Sequence, residues 1–287
     1  MSLQKLAPIS GVPVSQELDL TPAALAAETA AAPPRLSPAM QNRAAILTGP
    51  ILSTLLKLAL PTMTVLLAQT AVNIAEAYYV GYLGTAALAG VALVFPVFML
   101  MTMMSNGGLG SGVASAVARA IGAGHKRDAD AIVFHALVLA VVVGGLFSVA
   151  TIWGGPALYR TLGGRDDALN AALKYSNYLF AGAIPVWIVN LLASALRGSG
   201  NVKVPATVTL VGAMVLIPFS PTLIFGFGPI PGLGIAGAGI AFALYYCAAT
   251  LVLLRYMTTG QSGLTLKWAP LEARLFKDIL KDRKSVV

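Results

Sequence analysis

Six stretches of the chain are apolar almost throughout, at about 53–80, 86–118, 131–153, 168–195, 204–226 and 234–257. Each reaches the roughly 20 residues that a helix needs to cross a hydrocarbon core. Within them apolar and polar positions do not alternate over about ten residues, as they do in the strands of a membrane barrel. Helices are the other structure that bonds every backbone group inside lipid. The pattern therefore predicts an all-α, polytopic membrane protein with six transmembrane helices. It also divides the chain. Residues 1–48 hold Glu17, Asp19, Glu28 and several prolines but no apolar core, so they are expected to be a mobile cytoplasmic tail and not a secretory signal. Residues 49–258 form a six-span lobe, and 259–281 a cytoplasmic linker.

Composition agrees with the pattern. Hydrophobic residues make up 57% of the 287 and charged residues 10%, where soluble domains carry about a quarter charged residues. Mean hydropathy is +0.80. The remaining charge is sorted by side: with the amino terminus inside, only Arg160, Arg165 and Lys174 of the 19 basic residues fall outside, a positive-inside bias. Both termini are thus expected in the cytoplasm of a bacterial inner membrane. The net charge of +8 then serves orientation and contact with anionic membrane lipids. Nothing interleaves aromatics with the basic residues as a nucleic-acid groove does, and the single cysteine, Cys247, excludes an intrachain disulfide.

Two histidines and one cysteine do not build the usual His/Cys zinc site, and HExxH, GxSxG and GxxxxGK[ST] are absent. No catalytic residue, metal site or organic cofactor is expected. Gly232-Leu-Gly234-Ile-Ala-Gly237 matches the dinucleotide fingerprint, yet it opens an apolar span, follows no strand and has no acid about 20 residues on. It reads as an outer turn with close helix packing, and the Gly108 to Gly112 GxxxG pair reads likewise. His135 reads as a packing or interfacial residue. Prolines lie inside the spans at Pro61, Pro96, Pro185, Pro218 and Pro221. Each removes a backbone donor and bends or opens its helix, with Pro61, Pro218 and Pro221 singled out as bending positions.

Glu76 is the one acid of eleven placed inside a span. Steps of four and three put Gln69, Asn73 and Glu76 on one helical face, and a carboxylate facing lipid costs at least a few kcal/mol. That polar face is therefore expected to look into a cavity. There desolvation favours the neutral acid, so its charge state can follow the opening and closing of the cavity to water. Ionised, the same group attracts an organic cation or Na+. The other reading is that Glu76 reaches the outer interface and only ends the helix.

LALP at 58–61, AEAYYVGYLGTAALAGVAL at 75–93, ARAIGAG at 118–124, ALRGSGN at 195–201 with Pro205, and GLGIAGAGIA at 232–241 together resemble the amino-terminal half of multidrug and toxic compound extrusion (MATE) transporters. The resemblance implies two six-helix lobes, twelve spans in all, exporting amphipathic organic cations in exchange for H+ or Na+. It places Glu76 where a prokaryotic branch has Asp, making it the ion-coupling residue. Asn190 falls on an asparagine of the same polar network. Gln69, Asn73, Tyr79, Asn190 and Ser220 are expected to line the substrate cavity, with Phe95, Met99, Met103 and Trp187 as candidate apolar contacts. A second acid of that branch corresponds to Ser220 and a neighbouring asparagine to Leu216, so the two-acid network is reduced to one. The alternatives are a lipid-linked saccharide flippase of the same superfamily, which needs cationic residues inside the cavity, and a non-transporting scaffold or inactive fragment. A second lobe is expected beyond the linker. The ending Asp282-Arg-Lys-Ser-Val-Val287 can be back-translated into the start of a sequencing adapter, and so reads as an artefact or else as a natural basic tail.

Overall fold

The computed structural model describes residues 51–228, 230–259 and 263–281. The chain divides after Leu56 into two units, the second beginning at Lys57. The expectations for 1–48 and 282–287 lie outside the described residues.

Helices stand at all six expected positions. Helix α1 runs Ile51–Gly81, about 46 Å at 1.5 Å per residue. Helix α2, Thr85–Met103, passes through a π-helical segment, Met104–Leu109, into α3, Gly110–Gly122. Then come α4, Lys126–Thr161; α5, Asp166–Ala181; α6, Ala183–Gly198; α7, Lys203–Phe225; and α8, Ile235–Thr258. A two-residue hairpin, β1 Gly226–Phe227 with β2 Ile230–Pro231, joins α7 to α8. A short helix α9, Ala273–Lys281, follows the bundle. Among the described residues, four units are long and apolar enough to cross a membrane, namely Thr85–Gly122, α4, α7 and α8, and the bent pair α5 and α6 makes a fifth.

Two irregularities were not legible as such in the sequence. The second span is not one regular helix: the Gly110 N–H bonds to the Ser105 carbonyl five residues back, the π pattern, where Gly107 and Gly108 offer no side chains to hold a regular turn. The fourth span is bent by 50° at Gly182. Pro185, three residues on, has no N–H for the Ala181 carbonyl, and Gly182 lets α8 come close, since a Cβ there would lie 3.0 Å from Ala243 Cα. By contrast α7 runs unbroken through Pro218 and Pro221, which leave the carbonyls of Met214 and Ile217 without their helical donors.

Helix α6 is the most enclosed element, with Val186, Trp187, Leu191, Leu192, Ala195 and Leu196 buried. Small residues let its neighbours approach. A Cβ on Gly144 of α4 would sit 2.9 Å from Ile184 Cα and 3.2 Å from Trp187 Cδ1. Gly144→Leu is therefore expected to destabilise the fold by about 1–3 kcal/mol through overpacking, read as a lower unfolding midpoint in detergent. Gly154→Leu, with nothing within 4 Å, should leave the midpoint in place. The outward faces are greasy, with Leu66, Leu67, Val142, Leu146, Trp153, Met214 and Leu251 exposed, as lipid contact requires.

The glycine-rich motifs do packing work. Gly237 lies against the Leu223 backbone and Gly232 against that of Phe225, while Gly234 caps α8 at φ +57; the GxGxxG is thus the turn and contact between α7 and α8. Gly112 meets the Ile279 carbonyl of α9, whereas Gly108 has no close neighbour.

Residues 263–281 dock on the ends of α3 and α4. Leu264, Leu275 and Ile279 are buried. Both carboxylate oxygens of Asp130 accept from Thr265, Oδ1 from its N–H at 2.7 Å and Oδ2 from its hydroxyl at 2.8 Å. His135 is fully buried. Its Nε2 accepts the Glu272 N–H at 2.8 Å, so Nδ1 carries the proton given to the Ala131 carbonyl at 2.7 Å. His135 is a packing residue, as expected, and it fastens the linker.

Candidate functional site

A cavity of about 400 Å³ opens among α1, α2, the π segment, α6, α7 and α8. Amides from three elements meet in it: Gln69 and Asn73 from α1, Asn106 from the π segment and Asn190 from α6. Thr102, Thr209, Tyr245 and Tyr246 add hydroxyls, and Phe98, Met99, Met103, Leu216 and Phe242 supply apolar wall. No carboxylate, ammonium or guanidinium is among the lining groups. Asn190 Nδ2 donates to Ser105 Oγ at 2.7 Å, which ties α6 to the π segment and turns the polar side of that segment toward the cavity.

Of the expected lining residues, Gln69, Asn73 and Asn190 are brought together here, and so are the apolar candidates Met99 and Met103. Tyr79, Ser220 and Glu76 are not lining groups. Tyr79 packs part-buried against the core, beside Tyr78 at 6.1 Å between ring centroids. Trp187 belongs to the core and Phe95 is exposed elsewhere. Gln69, Asn73 and Glu76 share one side of α1, Gln69 and Glu76 being seven residues and so about 20° apart on a helix. Gln69, Val72 and Asn73 line the cavity, while Glu76, further along the helix, is buried with Val72 and Val80.

Glu76 instead meets Ser220 of α7, with Tyr175 of α5 also within its electrostatic reach. Ser220 is fully buried and Glu76 9% exposed. Glu76 Oε1 and Ser220 Oγ are nevertheless both without a hydrogen-bond partner. Buried polar oxygens left unpaired are costly; the Ser220 hydroxyl is the donor next to the Glu76 carboxyl group. Leu216, one turn from Ser220 on α7, lines the cavity, so the Glu76–Ser220 pair sits one helical turn beyond the cavity wall. Among the described residues no group of three or more His, Cys, Asp or Glu side chains is assembled to hold a metal.

Sequence reasoning missed Asn106, Thr209 and the tyrosine pair. Asn106 was open to the argument applied to Asn73, an amide inside an apolar span. It also missed Arg197, assigned to the inner side by the charge count alone. Arg197 Nη2 donates to Asn106 Oδ1 at 2.7 Å and to Ser194 Oγ at 2.8 Å.

Residues 61–222, more than half of the chain, match the profile of the MatE family. The chain belongs to the MatE family. Members of this family are membrane transporters and not enzymes, with multidrug efflux as the activity named for many of the relatives. The chain is 30% identical over 203 residues to a FAD transporter of Shewanella oneidensis, covering 70% of this chain and 44% of that protein. It is 26% identical over 191 residues to a probable multidrug resistance protein NorM of Thermotoga maritima, covering 66% and 41%. Among solved structures, an outward-facing multidrug resistance MATE family transporter of the MOP superfamily superposes with a TM-score of 0.72 at 30% identity, over 79% of this chain and 50% of that one. A MOP superfamily transporter from Pyrococcus furiosus, for which reverse polarity of the binding pocket suggests a different function, gives 0.71 at 29% identity. The chain spans about half the length of the relatives it matches. Its MatE segment contains α1 beyond Leu60 and every residue named above in the cavity and beside Glu76, apart from those of α8.

Proposed function

We propose that this chain is the first lobe of an efflux transporter that exports amphipathic organic cations in exchange for H+ or Na+. It sits in a bacterial inner membrane with both termini cytoplasmic, and a second lobe completes it. The observation that carries this reading is an amide- and aromatic-walled cavity of about 400 Å³ with a buried carboxyl group, Glu76, one turn behind it. Volume and lining suit a small amphipathic solute, since aromatic faces attract organic cations and the amides fix orientation. Glu76, next to Ser220, is the coupling group, and Gln69, Asn73 and Asn190 hold the solute. Pro218 lies between Leu216 of the cavity wall and Ser220, and Pro221 just beyond, where a helix short of two hydrogen bonds can shift with the charge on Glu76.

Binding of ethidium to the full chain in phosphatidylcholine nanodiscs, followed by dye fluorescence, tests this reading. Asn73→Leu combined with Asn190→Leu is expected to weaken binding about thirtyfold, since each of the two lost hydrogen bonds is worth about 1 kcal/mol and about 1.4 kcal/mol is a decade. Wild-type protein that ignores ethidium, or a double variant that binds as tightly, would remove the cavity from the transport path.

A further inference from the structure

We infer that Asn190 and Asn106 together read a lactam: they hold the N–H and the C=O of one edge of a planar heterocyclic solute whose flat body lies against the aromatic side chains of the cavity. The inference rests on the cavity being the solute site, and it names the chemical group by which that solute is recognised.

Each amide is fixed in orientation by the chemistry of its partner. The Ser105 hydroxyl has one hydrogen to give and gives it to the Thr102 carbonyl at 3.2 Å, so toward Asn190 it accepts, and Asn190 Nδ2 donates to it at 2.7 Å. Arg197 is a donor only, so Asn106 must present Oδ1 to its Nη2, at 2.7 Å. What is left over is complementary. Asn190 keeps a carbonyl oxygen and Asn106 an NH2 group, and neither has a hydrogen-bond partner among the described residues. Both residues line the cavity, whereas Ser105 and Arg197, which hold their other ends, do not. They are also neighbours, because Asn190 bonds to Ser105 and Asn106 is the next residue of the π segment. An acceptor beside a donor is the counterpart of a ring edge that carries N–H beside C=O. Orientation by hydrogen bonds is what this wall offers, since no ionised group is among its lining residues. The rest of the wall suits a flat body: Phe98 and Phe242 meet at 6.0 Å between ring centroids, and Tyr245 and Tyr246 at 4.7 Å, all four lining the cavity.

The test compares the fluorescent lactam 7-amino-4-methylcarbostyril with 7-amino-4-methylcoumarin, the isostere in which a ring oxygen replaces the lactam N–H. Binding of each to the full chain in phosphatidylcholine nanodiscs is read by its own fluorescence, less the signal of empty discs. The lactam is expected to bind about tenfold more tightly, because the lactone sets an oxygen against the Asn190 carbonyl and leaves that carbonyl unpaired. Asn190→Leu should erase the preference. Asn106→Asp keeps the acceptor for Arg197 and turns the free donor into an acceptor, so it should weaken lactam and lactone alike, about tenfold each, with the preference kept. Being isosteric, it tests the site even where Asn190→Leu does not fold. Equal affinity of lactam and lactone for the wild type, an unchanged preference in Asn190→Leu, or Asn106→Asp binding both as tightly as the wild type would each overturn the assignment. Ethidium binding without a preference for the lactam would remove the lactam edge alone, and binding of neither ethidium nor the lactam would remove the cavity reading with it.

Discussion

Glu76→Gln is expected to abolish gradient-driven export. The substitution keeps the size of a side chain packed between Val72 and Val80 on the buried stripe of α1, so the helix should seat as before. Among the described residues it removes the one carboxyl group beside the cavity, the group proposed to change charge with the opening of the site. One proton moved down 100 mV is worth about 2.3 kcal/mol, which at about 1.36 kcal/mol per decade sustains a roughly fiftyfold concentration ratio. Everted vesicles carrying the chain with its second lobe should build an ethidium gradient of up to that order, sensitive to ionophore, and the variant should build none. The lone chain gives a second readout. Ionised Glu76 favours a bound cation, so ethidium affinity in nanodiscs should fall when protons or Na+ are added, and in Glu76→Gln it should stay flat. Export by the variant at the wild-type level would exclude Glu76 from coupling, whatever its burial.

The second large effect belongs to the linker. Asp130→Ala together with His135→Ala is expected to release α9 from the ends of α3 and α4. Asp130 loses two charge-assisted bonds from Thr265, each worth about 1.5–3 kcal/mol, and His135 an ordinary one from Glu272, worth about 1 kcal/mol. The edge contact of Phe276 with the imidazole, 4.7 Å between centroids, goes with it. Amide exchange over Ala273–Lys281 should then quicken about a hundredfold or more, since local opening follows the free energy that holds the segment down. Trypsin should cut more readily at Arg274 and Lys277. The contact between Arg274 and Asp128, at 3.6 Å and largely solvated, is not expected to make up the loss. Unaltered exchange would show that burial of Leu275 and Ile279 suffices.

How much was legible differs from residue to residue. The spans were readable because transfer from water to lipid depends on local composition and length, so helices appear where the six apolar runs lie. Glu76 was readable as an anomaly for the same reason: one carboxylate in a lipid-length apolar run is costly wherever it points. Its partner was readable only by resemblance, which put Ser220 at the site of a second acid, and the two residues do adjoin. The face assignment of α1 fixes angle but not depth, so it did not tell that Gln69 and Asn73 stand at the cavity and Glu76 about one turn further along the same side. Tyr79 and Ser220 are not among the lining residues, and in the second span the reading singled out the Gly108 to Gly112 pair and not Asn106.

From the sequence alone came the membrane class, the helical architecture, the uneven distribution of basic residues and the presence of an internal acid, all properties summed over short windows. The tertiary structure decided the rest: that Glu76 meets Ser220 one turn beyond the amide cavity, that a π turn aims Asn106, that Arg197 bonds to Asn106, and that His135 holds the linker. Those are matters of helix rotation and of contacts between residues far apart in the chain. A carboxylate or a guanidinium carries the same cost in any apolar window, but what it does depends on which helix faces it.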